Sequence, residues 1–143
     1  KAIHIKEQEK LKGRTYNQHW VVFDKDDFPE NDFNSAILLA QQNGFEVAYS
    51  NQAFEFWFLL HFNLYQGALH RSRYEKMLSA LLGFAYTKKS GVSSKMFNTL
   101  FSKQEQAINH AKTIMRQFDG NNPAQQESST TVHLLVKELN KFL

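Results

Sequence analysis

The side chains best suited to chemistry in this 143-residue chain stand close together near its start. In Trp20-Val21-Val22-Phe23-Asp24-Lys25-Asp26-Asp27, four apolar residues run directly into three carboxylates within four positions. The apolar run predicts a strand buried on both faces, with the carboxylates at its C-terminal mouth. In open parallel sheets, ligands bind at that end of the strands, where the connecting loops splay apart. Carboxylates there can hold a divalent cation such as Mg²⁺, which takes hard oxygen ligands. Asp-rich turns also cap helices or satisfy loops, and the spacing alone leaves both readings open. A fourth carboxylate, Glu55, lies in the almost wholly apolar segment 52–62. That segment predicts a helix buried all round, with Glu55 in its first turn. There it either takes part in a site, compensated by a cation or hydrogen bonds, or points outward from a helix start that favours it.

The elements that must position these groups follow from periodicity. Residues 1–12 predict a solvated helix, with Ile3, Ile5 and Leu11 as its only large apolar residues and Gly13 as its stop. A strand over 19–23 leads to the acidic mouth. Phe28-Pro29-Glu30-Asn31-Asp32 turns the chain, and Asn31 or Asp32 is the expected N-cap. A helix over 33–43 places Phe33, Ile37 and Ala40 on one face, and Asn43-Gly44 ends it. Residues 45–49 alternate as a second strand. Strand, helix and strand make a right-handed βαβ unit with parallel strands, so Tyr49-Ser50-Asn51 ends on the same edge as Asp24. Further on, helices are expected over 70–82, 103–118 and 131–143, the last capped by a Ser/Thr run and burying Val132, Leu135, Val136 and Leu139. A basic loop over 86–91 and a polar linker over 119–129 join them.

Composition narrows the classes. The chain has the length of one domain with a real core, and thirteen Phe, five Tyr and two Trp make that core bulky. The absence of cysteine excludes a disulfide scaffold or thiolate zinc site and fits a cytoplasmic location. No secretory signal or membrane-spanning apolar run is present. Since the chain opens on Lys1, a fragment is expected. Net charge is +3 but uneven: residues 20–60 carry −6, and residues 61–116 carry +7. An acidic centre beside basic segments suits a metal-dependent enzyme acting on phosphodiesters, the basic part neutralising phosphate; basic residues also simply solvate helices. There is no Gly-rich phosphate loop, nucleophile elbow or zinc-spaced histidine pair. His61, His70, His110 and His133 fall on separate elements, and His61 is expected to be a satisfied, half-buried histidine.

Three segments together resemble the RloB-like family. They are Val21-Val22-Phe23-Asp24-Lys25-Asp26-Asp27-Phe28, Ala48-Tyr49-Ser50-Asn51 and Phe54-Glu55-Phe56-Trp57-Phe58-Leu59-Leu60-His61-Phe62. The ending, Ser129-Thr130-Thr131-Val132-His133-Leu134-Leu135-Val136, joins them, so the resemblance runs from about residue 18 to the C-terminus. The family occurs in bacterial restriction–modification and phage abortive-infection operons, and itself resembles the Toprim group. The resemblance therefore implies a single α/β domain over 1–143, with a Toprim-like (Rossmann-like) parallel sheet, flanking helices and a helical C-terminal part. It implies that Asp24 and Asp26 correspond to the paired aspartates that bind Mg²⁺ (or Mn²⁺), with Asp27 as a neighbour of the metal. Glu55 would complete the site or orient a ligand. Toprim domains also use a glutamate after an earlier strand. Glu7 and Glu9 do not match it, so the first strand is expected to be missing from the chain.

The leading expectation is a Mg²⁺-dependent nuclease or related phosphoryl-transfer domain in phage defence, catalytic through Asp24, Asp26 and Glu55. DNA or RNA would be positioned by Arg71, Arg73, Lys88, Lys89 and Lys95, and other proteins of a defence operon are possible partners. The alternatives are a non-catalytic partner or sensor of the same fold, and a nucleic-acid-binding module without cleavage.

Overall fold

The computed structural model describes residues 1–88 and 93–143. The chain runs through helix α1 (Ala2–Leu11), strand β1 (Trp20–Asp24), α2 (Glu30–Gln42), β2 (Glu46–Ser50), α3 (Glu55–Leu59), α4 (Tyr74–Leu82), α5 (Ser93–Leu100), α6 (Gln104–Met115) and α7 (Val132–Leu139). β1 and β2 pair in parallel, in a register that sets Asp24 beside Ser50. The acidic mouth and the second strand end therefore share one edge, as the βαβ reading requires.

Two features of β1 differ from expectation. The strand is not buried on both faces: its residues are half-buried and Val22 is 47% exposed. Among the described residues the sheet has two strands, so β1 is an edge strand. A four-residue apolar run is as compatible with an edge as with a sheet centre, because neighbouring strands are set by distant sequence. The other side of β2 is covered by 129–131, which joins it through an antiparallel bridge between Ser50 and Thr130. There Thr131 N–H donates to Tyr49 O at 2.8 Å and Asn51 N–H to Ser129 O at 2.9 Å.

Two cores flank the sheet. α2 packs against it through Phe33 and Ile37, with Phe33 edge-to-face on both Phe23 and Tyr49 at 5.6 Å. The larger core joins Ala48 to Phe56, Leu59, Leu60, Tyr74, Leu78, Ala107 and Ala111. α2 begins at Glu30 rather than after an Asn31 or Asp32 cap. Pro29 supplies the turn with extended ψ, and Glu30 and Asp32 lie in a first turn where the macrodipole favours acid. α3 is five residues long, not eleven; its flanking turns let the large aromatics pack in several directions. Arg71–Arg73 forms a 3₁₀ turn that leads into α4, and Gly83 closes α4 in the left-handed conformation. α5 had no counterpart in the sequence reading.

The supposed linker 119–129 is a packed part of the fold. It contains a 3₁₀ turn, Pro123–Gln125, and buries Gln126, Ser128 and Ser129. Asn51 Nδ2 donates to Pro123 O and Ala124 O at 2.9 and 2.8 Å, and Tyr49 Oη donates to Gln126 Oε1 at 2.7 Å. A polar segment whose groups are hydrogen-bonded can be buried as readily as an apolar one. α7 differs in the same way. Thr131 does not cap it, because its hydroxyl accepts the Tyr49 N–H at 2.9 Å. Leu139, expected in the core, is 57% exposed.

That hydroxyl carries a prediction. Thr131→Val keeps the shape but leaves the Tyr49 N–H without its acceptor, and should cost about 1–2 kcal/mol in urea unfolding. Thr113→Val, at a half-buried position of α6 where the hydroxyl donates to Asn109 O of its own helix and leaves no buried N–H unpaired, should cost about 0.5 kcal/mol or less. Equal losses from the two would contradict the role given to Thr131.

Candidate metal and phosphate site at the strand ends

β1 delivers Asp24 to the sheet edge, and the chain then turns sharply. Lys25 N–H donates to Ser50 O at 2.9 Å and Asp26 N–H to Gln52 O at 3.0 Å, so the two strand exits are bound to each other. Asp26 and Gln52 both adopt positive φ, +45° and +91°. Left-handed backbone is uncommon for residues other than glycine, and two such residues at one strand-end crossing concentrate strain where side chains must be aimed.

Asp24 is half-buried, and its Oδ1 is enclosed with no hydrogen-bond partner among the described residues. Burial raises its pKa from the usual 3.8 to about 6. The nearby Phe54 N–H opposes the rise, while the negative charges of Asp26 and Glu55 add to it. Asp26 is half-exposed, its Oδ1 lying 3.8 Å from Arg71 Nε. Asp27 projects into solvent and accepts a hydrogen bond from Arg71 Nη2, which holds its carboxyl below the usual range. Glu55 lies in the first turn of α3, as anticipated, and of the two orientations left open it takes the buried one. Its Oε1 accepts from Tyr86 Oη at 3.0 Å and from Lys88 Nζ at 2.9 Å.

Arg71 separates two open clefts. One, of about 450 Å³, is lined by Asp26, Asp27, Phe28, Pro29 and Arg71. The other, of about 380 Å³, includes Glu55, His70, Arg71, Ser72 and Lys88. The four carboxylates and two cations thus converge on one edge.

The remaining basic residues are dispersed. Arg73 is exposed in the same 3₁₀ turn as Arg71. Lys95 lies on α5 with its Nζ 4.2 Å over the Phe84 ring, and Lys89 lies outside the described residues. His61 is buried more deeply than expected, its Nδ1 3.0 Å from Trp57 O.

Tyr86 and Gln52 were missed by the sequence reading. Gln52 Oε1 accepts the Arg71 N–H at 3.3 Å while its Nε2 donates to Glu127 at 3.2 Å, bracing the Arg71 turn against the strand exit. Nothing in the sequence marks Gln52. Tyr86 had a faint signal: it stands two residues before Lys88, the spacing that puts both side chains on one side of an extended segment.

Among the described residues, no group of three or more His, Asp or Glu side chains is arranged to hold a metal ion. Mg²⁺ does not need one, since it is commonly held by one or two carboxylates with waters and substrate phosphates completing six positions. Asp24 and Asp26 fit that pattern, and the enclosed, unpartnered Oδ1 of Asp24 is the kind of atom a cation would satisfy.

A mixed α/β domain with a carboxylate-lined strand mouth is the class that fold and site define. The family model described as RloB-like protein matches residues 1–139, and the chain belongs to that family. The match takes in α1, which the sequence resemblance had left out. No curated protein and no solved structure was found to match the chain. Among the described residues, no helix is long and apolar enough to cross a membrane.

Asp24 yields a stability prediction. Between about pH 4 and 6 the folded chain holds a proton that the unfolded chain has released, so this group makes stability fall as pH rises through that window. Asp24→Asn should remove the effect, raising stability at pH 7 by about 1 kcal/mol after allowance for solvent screening. Urea unfolding at pH 4 and pH 7 measures it. A variant destabilised at pH 7 would contradict a strained carboxylate.

Proposed function

We propose that this chain is a Mg²⁺-dependent nuclease or related phosphoryl-transfer domain of Toprim-like architecture, acting on nucleic acid in bacterial anti-phage defence. The observation that carries this reading is the enclosed, unpartnered Asp24 Oδ1 at the C-terminal edge of parallel strands, with the Asp26 carboxylate in its electrostatic reach. When bound, Mg²⁺ would polarise a phosphoryl oxygen and activate water. The chain's own residues do the positioning. Asp24 and Asp26 hold the cation, while Arg71 and Lys88 neutralise the nucleic-acid backbone. Glu55, engaged by Tyr86 and Lys88, orients Lys88 rather than binding the metal directly. Asp27 does the same for Arg71.

One observation favours a second reading, a non-catalytic sensor or binding module with the same fold: Asp27 and Glu55 already have cationic partners. Calorimetry separates the two. Mg²⁺ or Mn²⁺ should bind the wild-type protein, and Asp24→Ala or Asp26→Ala should weaken binding more than about tenfold, on the order of 1.4 kcal/mol. Metal-dependent cleavage of DNA or RNA should be lost in the same variants. Absence of cation binding at millimolar Mg²⁺ would favour the second reading.

A further inference from the structure

Arg71 occupies the position where cation and phosphate requirements meet. Its guanidinium donates to Asp27 through Nη2 and approaches the Asp26 carboxylate to 3.8 Å through Nε. Its backbone is fixed by Gln52, whose own backbone carbonyl accepts the Asp26 N–H. The side chain is 24% exposed and borders both clefts. A divalent ion on Asp26 and a guanidinium at this distance from the same carboxylate repel each other, and the effect is strong where solvent is partly excluded. The fixed anchor leaves the flexible side chain free to turn about its stem, and the second cleft on its other side offers space beside Lys88 and Ser72.

We propose that Arg71 is a positioning residue that couples cation binding to phosphate binding. Without a cation it neutralises Asp26 and Asp27. When a cation takes Asp26, the guanidinium leaves that carboxylate and presents its planar donor fork to a nucleic-acid phosphate in the neighbouring cleft, the geometry for which arginine is suited. The proposal rests on the cation-site reading above, and adds reciprocity: phosphate must then tighten cation binding by the factor by which cation tightens phosphate binding.

The test is calorimetric and needs no turnover. Mn²⁺ is titrated into the wild-type protein, Arg71→Met and Arg71→Lys, each with and without a phosphorothioate-linked thymidine dinucleotide. In the wild type the dinucleotide should tighten Mn²⁺ binding by roughly 5- to 150-fold, the usual span of coupling between sites. Arg71→Met should bind Mn²⁺ several-fold more tightly than wild type without dinucleotide, and should keep only the smaller tightening that direct contact of phosphate with the ion and Lys88 gives; tightening equal to that of the wild type would overturn the coupling through Arg71. Arg71→Lys keeps the charge and should retain both properties in weaker form, so the comparison survives if the methionine variant folds poorly. Mn²⁺ binding that is the same in all three proteins, with or without dinucleotide, overturns the coupling while leaving the cation site intact. Absence of Mn²⁺ binding in all three removes the cation site and the coupling together.

Discussion

The edge of the molecule depends on how a surplus of carboxylates is compensated at two strand ends. Glu55 is 5% exposed at the start of a helix packed into the main core. A charge that far from water costs several kcal/mol unless it is paired. Tyr86 and Lys88 supply the pairing, which fixes the segment after α4 against α3. Asp24, one strand end away, has no such partner for its inner oxygen among the described residues. The same edge thus contains one carboxylate whose demand is met by the protein and one whose demand is not. Gln126 Nε2, Ser129 Oγ and His133 Nδ1 are also buried without a partner among the described residues, but Asp24 Oδ1 is the one of the four that belongs to a carboxylate, and the proposed cation site rests on it.

The edge is held rigid from behind. β2 is pinned between β1 and 129–131, and the hydroxyls of Thr130 and Thr131 serve its backbone and Ser50. Tyr49 and Asn51 point into the 122–126 segment and donate to the Gln126 side-chain oxygen and to the Pro123 and Ala124 carbonyls. These polar contacts connect the C-terminal part of the chain to the strand end that faces the site. Asp26 and Gln52 can hold left-handed backbone only because both strand exits are tied down in this way.

Much of this was readable from sequence, because the signals were local. Asn43-Gly44 ended α2, the βαβ spacing set the parallel pairing, and Asp24 with Tyr49-Ser50-Asn51 came out on one edge. The aromatic residues around Glu55 put it in the first turn of an apolar helix but left open whether it pointed inward or outward; it is buried. What sequence could not show was non-local. The polarity of 119–129 hid its burial, because its partners Tyr49 and Asn51 lie over seventy residues away. The apolar run of β1 could not reveal whether a strand lay beyond it. Arg71 and Lys88 stood among nine basic residues in one segment, and only folding separates these two from Lys95, which rests on an aromatic ring.

The central claim is that the unpartnered oxygen of Asp24 is a cation ligand. Anomalous diffraction from crystals grown with Mn²⁺ tests it most directly. The account predicts an anomalous peak within about 2.3 Å of an Asp24 carboxylate oxygen, shared with Asp26 and otherwise surrounded by water. A peak bound only by Asp27 at the surface, or a fully ordered strand mouth with no peak, would contradict it.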